Sequence, residues 1–246
     1  FLETTNETGT AAIDLSGNLF AQTIKGNAGM NKLDGGTDAL VDTLIGGLGN
    51  DTYIIRTTTD NITEAVGGGT ADRAKAALTF TLAAGDNIEV LETVLVSAGT
   101  AINLTGNEIA QTVIGNAGSN ILNGKGGNDF LSGGHGNDFF VFNTALNATT
   151  NRDAITDFNV ANDTIRLENT GAGLFNTLAV GTLNAAFFKA NATGTATDAN
   201  DRIIYETDTG KLFYDSNGSA AGGSIHFVTL SNAVKPVLTN ADFFVI

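Results

Sequence analysis

Polar residues that are able to bind a cation recur at fixed intervals inside glycine-rich stretches of this sequence. Two stretches, residues 46–54 and 133–141, follow the pattern G-G-x-G-x-D-x-U-x, in which U is an apolar residue. Looser copies precede each stretch, mostly in steps of nine residues. The sixth positions of the copies are Gln22, Asn31, Asp42, Asp51, Gln111, Asn120, Asp129 and Asp138. Carboxylate and amide oxygens at such positions suit a hard cation, which takes about six to eight oxygen ligands.

The spacing also predicts the elements that must position these side chains. Glycines permit a tight loop, and the last three residues of each copy form a short strand whose central apolar side chain points inward. Two copies therefore make one coil of about 18 residues, and loops two copies apart stack. The stacked pairs are Gln22–Asp42, Asn31–Asp51, Gln111–Asp129 and Asn120–Asp138. Because these pairs carry less charge than paired aspartates, we expect them to bind cations more weakly.

The two groups of copies are also duplicates of each other. Residues 13–35 align without gaps on residues 102–124, and 14 of the 23 positions are identical. Both contain GN-x-x-AQT followed by GNAG-x-N. A disordered glycine-rich linker is the alternative interpretation, but the regular apolar residue at the eighth position of the copies favours a packed solenoid.

This pattern resembles the RTX (repeat-in-toxin) hemolysin-type family of calcium-binding proteins. The resemblance implies an all-β fold, a right-handed parallel β-roll that binds several Ca²⁺ ions and ends in a β-rich C-terminal cap. We expect the roll to cover residues 9–142, with repeat blocks at about 17–54 and 106–141 joined by linker turns. The cap is expected over residues 143–246.

Residues 55–101 lack the nonapeptide but retain short strand patterns separated by glycine turns. They resemble the linker turns between repeat blocks in RTX proteins, through which one solenoid continues. That resemblance makes Glu64 and Asp72 candidate ligands of a second tier. Two ordinary surface acids are the alternative interpretation.

The C-terminal part resembles serralysin-type C-terminal domains. D-x-I-x-D-F at residues 153–158, followed by D-x-I-x-L at 163–167, is similar to the segment that closes the roll in that family. The resemblance implies that Asp153 and Asp157 bind a capping calcium. The complete set of candidate metal ligands is Asn31, Asp42, Asp51, Glu64, Asp72, Asn120, Asp129, Asp138, Asp153 and Asp157.

The end of the chain, Asp242 followed by Phe-Phe-Val-Ile, is similar to the uncleaved signal of type I secretion substrates. An edge strand would explain the same residues. No signal segment precedes Phe1, so we expect a processed product or the C-terminal part of a longer protein.

Composition excludes several classes of function. The chain has 26 acidic and 12 basic residues and a net charge of −14, which disfavours nucleic acid and anionic membrane surfaces as partners. It has no cysteine, and no apolar run of about 18 residues predicts a membrane span. A secreted protein without disulfides needs another stabilising element, and a bound metal is the usual one.

Catalytic signatures are missing from the sequence. It contains neither H-E-x-x-H nor G-x-S-x-G, and its two histidines, His135 and His226, are isolated. We therefore predict a non-enzymatic, extracellular or cell-surface protein that folds on binding Ca²⁺ after export by type I secretion machinery. The alternatives are a calcium-dependent adhesin, matrix or surface-layer subunit that self-assembles or binds cell-surface glycans, and a glycan-active enzyme on a β-solenoid.

Overall fold

The computed structural model describes residues 1–4, 6–37, 40–171 and 173–246. The strands of the first half are β1 (Leu2–Glu3), β2 (Asp14–Ser16), β3 (Thr23–Lys25), β4 (Lys32–Asp34), β5 (Thr43–Ile45), β6 (Thr52–Ile55), β7 (Asn61–Thr63), β8 (Arg73–Ala76), β9 (Phe80–Thr81), β10 (Val90–Thr93), β11 (Leu104–Thr105) and β12 (Thr112–Ile114). Those of the second half are β13 (Ile121–Asn123), β14 (Phe130–Ser132), β15 (Phe139–Phe142), β16 (Asp153–Ile155), β17 (Thr164–Leu167), β18 (Gly181–Thr182), β19 (Phe188–Asn191), β20 (Ile203–Glu206), β21 (Lys211–Asp215), β22 (Ser224–Leu230) and β23 (Phe243–Val245).

From β2 to β17 the chain winds as a parallel β-solenoid of about eight turns. Even-numbered strands from β2 to β16 pair side by side in one sheet, which β22, β21, β20 and β19 extend to 12 strands. The odd-numbered strands form the opposite face as a four-stranded sheet, β1-β3-β5-β7, and a seven-stranded sheet, β18-β23-β17-β15-β13-β11-β9. The predicted all-β parallel roll is confirmed.

The core of the roll is a stack of inward-facing side chains from the centre of each strand. Leu33, Tyr53, Leu122, Leu131 and Phe140 occupy the eighth positions of their repeats and are fully buried. Register keeps them in columns, since Leu33 lies opposite Tyr53 and Leu122 opposite Phe140 on neighbouring coils. The period-2 alternation of each strand therefore supplies one core side chain per nonapeptide.

The tight loops depend on a backbone conformation that glycine adopts most easily. The second position of the two full repeats is Gly47 (φ 110°) in one and Gly134 (φ 91°) in the other. Lys125 occupies the same position in the copy before Gly134 and is the one non-glycine residue with positive φ (72°) in the described part of the chain. An L-residue in this conformation costs about 1 kcal/mol relative to glycine.

The C-terminal part closes the roll. β16 and β17 form one further coil beyond residue 142, and β22 and β23 then add to these strands in parallel. β20 and β21 form an antiparallel hairpin, and β21 pairs with β22. In the described residues the helical segments are two 3₁₀ turns, Ala185–Phe187 and Asn240–Asp242.

Candidate metal centre

Loops of the roll stack along two edges. The loops that follow even-numbered strands line one edge, and those that follow odd-numbered strands line the other. On each edge the sixth-position residues of successive coils are linked directly, because the backbone N–H of one residue donates to the side-chain carboxylate of the residue one coil later. We call each such series an acid ladder.

The described residues form four acid ladders, and each begins with an amide residue. The ladders are Gln22–Asp42–Asp60, Asn120–Asp138–Asp163, Asn31–Asp51–Asp72–Glu89 and Gln111–Asp129–Asp153. The linking N···O distances run from 2.6 Å for Asn31–Asp51 to 3.4 Å for Asp42–Asp60. Each link satisfies a donor where the chain enters a strand, so one carboxylate oxygen has a structural role.

The second carboxylate oxygen of several ladder aspartates is buried and has no hydrogen-bond partner in the part of the chain that the structure describes. This holds for Oδ2 of Asp51, Asp72, Asp129 and Asp138, and Oε1 of Glu64 is in the same condition. Burying an ionised oxygen without a partner costs free energy, and a bound cation removes that cost. These oxygens therefore fit a cation better than any group of the protein itself.

Three of the predicted ligands meet at one point. Asp51, Glu64 and Asp72 are buried, and one carboxylate oxygen from each lies within 4.8 Å of the other two. Two oxygens bound to the same Ca²⁺ lie at most about 5 Å apart, since each metal–oxygen distance is about 2.3–2.6 Å. The donor set is all oxygen, as a hard cation requires. This cluster, called the three-carboxylate site below, joins the end of the first repeat block to the linker.

Glycine keeps the space at this site open. A Cβ on Gly46 would collide with Asp51 Oδ2 and with the hydroxyl of Tyr53, and it would lie 2.7 Å from Glu64 Oε2. A Cβ on Gly68 would collide with Glu64 Oε1 and lie 2.8 Å from the carbonyl oxygen of Gly47. The glycine pattern thus leaves a cradle that is lined by oxygen atoms and that any larger residue would fill.

The acids of the three-carboxylate site have raised pKa values because they are buried close to one another. Burial, followed by the charge of neighbouring acids, raises the pKa of Asp51 and of Asp72 to about 6. Burial also raises the pKa of Glu64 to about 7, although the hydrogen bond that Tyr53 donates to Glu64 Oε2 acts in the opposite direction. A cation here would favour the ionised forms and displace protons as it bound.

The second block presents its acids in pairs. Asp129 N donates to Asp153 Oδ1 at 3.0 Å, and Asp138 N donates to Asp163 Oδ1 at 3.0 Å. Burial and the charge of Asp153 raise the pKa of Asp129 to about 8, and burial raises that of Asp153 to about 7. Asp138 has a pKa raised to about 6, mainly by burial.

Other predicted ligands have different surroundings. Asp157 lies over the loop of Asp138, but its carboxylate already accepts hydrogen bonds from Ser132 Oγ (2.7 Å), Gly134 N (2.9 Å) and Gly133 N (3.0 Å). The side chains of Asn31 and Asn120 are engaged with asparagines of their own loops. Asp42 is buried and accepts from Gln22 N at 2.8 Å.

Sequence reasoning did not include four residues of these sites. Asp60, Glu89 and Asp163 are ladder members, and Tyr53 is the hydroxyl donor to Glu64. Asp60 could have been predicted, because it follows Asp42 by 18 residues, which is the length of one coil. The coils that contain Glu89 and Asp163 have 17 and 25 residues between ladder positions, so no fixed step along the sequence finds them.

Comparison with known protein families agrees with this geometry. The model of the RTX calcium-binding nonapeptide repeat matches four copies, over residues 16–53 and 105–143. No curated protein sequence matches the chain.

The fold and the sites define a calcium β-roll, and its two blocks are RTX calcium-binding nonapeptide repeats. Such repeats bind Ca²⁺, and the presence of several copies implies several ions. Proteins with these repeats are typically secreted, and the roll is generally structural and calcium binding, not catalytic. Among the described residues, no helix has the length and apolar character to cross a membrane.

Proposed function

We propose that this chain is a secreted calcium-binding module that leaves the cell through type I secretion machinery and folds outside when Ca²⁺ becomes available. The observation that carries the proposal is the set of buried carboxylate oxygens without partners along the edges of the roll. In the folded chain without a cation, these groups must be protonated or carry unpaired charge. Calcium that binds the folded state alone adds its binding free energy to folding.

The overall charge supports the same proposal. A net charge of −14 opposes compaction, and the loops supply many glycines that are costly to order. Free calcium is scarce inside cells and reaches millimolar concentrations outside, so a chain of this kind stays unfolded and exportable until it is released. On this proposal residues 9–142 form the calcium-dependent roll together with the further coil of β16 and β17, and the rest of residues 143–246 forms the cap with the export signal.

The proposed ion sites follow the paired acids. Asp51, Glu64 and Asp72 hold one ion, and the paired ladder acids provide the further sites. The pairs are Asp129–Asp153 and Asp138–Asp163, in each of which one aspartate has a buried oxygen without a hydrogen-bond partner among the described residues. Asp157 supports the loop of Asp138 through its hydrogen bonds and does not itself bind an ion.

Terbium tests the three-carboxylate site because Tyr53 lies in its wall. The chain has three tyrosines and no tryptophan, so tyrosine-sensitised Tb³⁺ emission reports ions close to a tyrosine. We expect emission that calcium competes away and that Tyr53→Phe or Asp72→Asn reduces several-fold. Asp208→Asn, which removes the same charge from an exposed hairpin turn, is the matched control and should leave the emission unchanged. Equal emission from all four proteins would rule out an ion beside Tyr53.

A calcium-dependent adhesin or surface-layer subunit is the second candidate function. The observation in its favour is an exposed group of apolar side chains on the first coils: Leu19 (66% exposed), Phe20 (72%), Met30 (61%) and Leu48 (57%). Exposed apolar groups of this kind favour association with other molecules. Sizing of the calcium-loaded chain separates the candidates, since a subunit forms oligomers or fibres and a folding module stays monomeric.

A further inference from the structure

Each acid ladder begins with a residue whose side chain is an amide, and the oxygen of each amide accepts a hydrogen bond from a backbone N–H of its own loop. Asn120 is the clearest case. Its Oδ1 accepts from Asn116 N at 2.8 Å, while its Nδ2 donates to Asn116 Oδ1 at 3.0 Å and to Ile102 O at 2.8 Å. Both amide hydrogens and the amide oxygen are therefore in use, and the side chain is fully buried.

Gln111 repeats the arrangement on the other edge of the roll. Its Oε1 accepts from Asn107 N at 3.1 Å, and its Nε2 donates to Asn107 Oδ1 at 2.8 Å and to Ile88 O at 3.2 Å. Thus a longer side chain, in a loop with a different sequence, makes the same three contacts. The arrangement is a property of the pattern G-N-x-x-x-(N or Q), which begins all four ladders.

The first block contains part of the same arrangement, since Asn31 makes two of the three contacts and Gln22 makes one. Asn31 Oδ1 accepts from Asn27 N at 2.8 Å, and Asn31 Nδ2 donates to Asn27 Oδ1 at 3.0 Å. Gln22 Oε1 accepts from Asn18 N at 2.8 Å. In every ladder the partner is the asparagine at the second position of the loop. The two full repeats have glycine at this position.

The loops with full repeats lack this partner. Their second positions, Gly47 and Gly134, have no side chain to meet the sixth residue, and Oδ2 of Asp51 and of Asp138 is left without a hydrogen bond. A carboxylate also has no hydrogen to donate to a carbonyl oxygen. An amide group supplies those hydrogens itself, so its –NH₂ provides the positive charge density that a cation provides elsewhere.

We infer that the second-position asparagine and sixth-position amide together replace the ion in the first loop of each ladder, so these four loops bind no calcium. The ions are confined to the later loops, where a carboxylate meets another carboxylate. The inference rests on the proposed function, because it assumes calcium in those later loops. It explains why the duplicated segments keep both polar positions, with Asn at the second and Asn or Gln at the sixth.

Ion counting on two variants tests the inference. Asn116→Gly combined with Asn120→Asp gives residues 115–123 the glycine and aspartate positions of a full repeat. We expect this variant to bind one Ca²⁺ more than the unaltered chain, measured by calorimetry and by metal analysis after equilibrium dialysis. Asn120→Ala should bind the same number of ions as the unaltered chain, since no ligand is lost.

The outcomes separate this inference from the proposed function. An unaltered chain that binds no calcium contradicts the proposed function. An unaltered chain that binds calcium, together with a double variant that gains no ion, contradicts the inference alone. Loss of one ion from Asn120→Ala would also overturn it, because Asn120 would then be a ligand. If the double variant does not fold, the ion counts of Asn120→Ala and Gln111→Ala test the inference. Unchanged counts support it, and the loss of an ion from either variant contradicts it.

Discussion

Four ladder aspartates of the roll and Asp201 of the C-terminal cap are all buried, but their carboxylates have opposite surroundings. In the roll, Asp51, Asp72, Asp129 and Asp138 each leave one buried oxygen without a partner. In the cap, Asp201 Oδ2 accepts from Thr197 N at 2.7 Å, Thr197 Oγ1 at 3.0 Å and Asp198 N at 3.2 Å. The carboxylate of Asp201 is thus satisfied by local donors, whereas the four ladder aspartates each keep one oxygen without a partner among the described residues.

The pKa values follow this division. Burial raises the pKa of Asp51 to about 6, and its single backbone hydrogen bond does not offset the effect. Burial also acts to raise the pKa of Asp201, but the hydrogen bonds from Thr197 and Asp198 outweigh it, and the pKa is lowered. Local backbone donors therefore decide whether a buried acid needs a cation.

The two regions also differ in what holds them together. The cap has an aromatic core in which Phe227 contacts Phe142 and Phe175 edge-on, with ring centroids 5.3 and 5.1 Å apart, and Phe175 contacts Tyr214 at 5.0 Å. Each coil of the roll contributes two short strands and about two core side chains. From this comparison we expect the cap to depend on apolar packing and the roll to depend on cations.

The largest effect is expected from the aromatic core of the cap. Phe227→Ala should lower the free energy of unfolding by about 3–5 kcal/mol, because it leaves a cavity among Phe142 and Phe175. The loss should be present at saturating calcium, as measured by chemical denaturation. Phe244→Ala, at a position that is 41% exposed, is the control and should cost much less. A loss below about 1 kcal/mol for Phe227→Ala would show that the cap does not rely on this core.

Gly46→Ala tests the cradle in the roll. The added methyl would occupy the space next to Asp51 Oδ2 and Tyr53, so we expect the calcium midpoint of folding to rise roughly tenfold, equivalent to about 1.4 kcal/mol. Gly99→Ala is the matched control, since a Cβ there meets nothing within 4 Å. An unchanged midpoint for Gly46→Ala would place the ion elsewhere.

Acid should destabilise the cap through His226. Burial and the nearby charges of Arg152 and Lys211 lower the pKa of His226 to about 4, although Glu206 acts in the opposite direction. Its pKa in the unfolded chain is about 6.5, so the unfolded state binds more protons than the folded state between pH 6.5 and 4. The folding stability therefore decreases as the pH is lowered across that range. Unfolding at pH 7 and pH 5 should therefore show a smaller pH effect in His226→Gln than in the unaltered chain. The carboxylates affect both proteins equally, and identical pH effects would contradict the assignment.

The smallest effect is expected at Lys125, whose φ of 72° matches that of the glycines at the same repeat position. Lys125→Gly should relieve the left-handed strain and stabilise the calcium-loaded roll by about 0.5–1 kcal/mol. Lys75→Gly, in the middle of strand β8, should do the reverse. Denaturant midpoints of the two variants at saturating calcium provide the measurement. Destabilisation by Lys125→Gly would mean that the lysine side chain makes a favourable contact worth more than the strain.

Most of the roll could be predicted from sequence because one nonapeptide specifies loop, strand and inward side chain together. The apolar eighth position identified Leu122 and Phe140 as core residues, and the duplication located both blocks. The site residue in the linker was harder to predict from the sequence, since Glu64 has no counterpart in the repeat pattern. Its place beside Asp51 and Asp72 depends on how the coil from β7 to β8 folds over the preceding loop.

The chemistry of individual ladder positions could not be predicted at the same level. Asn31 and Asn120 carry oxygen and therefore entered the ligand set, but the sequence does not show that Asn27 and Asn116 engage their amides. The hydrogen bonds of Asp157 could not be predicted either, because its three donors come from a loop more than 20 residues away. Oxygen content can be read from the sequence, whereas hydrogen-bond satisfaction depends on the stacked coils.

Circular dichroism through a calcium titration, with magnesium as the control, tests the central claim most directly. We expect a coil-to-β transition of the roll at sub-millimolar to millimolar Ca²⁺. Mg²⁺ should not produce it, because Mg²⁺ requires near-octahedral geometry and gives up its water reluctantly. A calcium-free sample that already shows full β-structure and a cooperative thermal transition would contradict the claim that cation binding drives the folding of this roll.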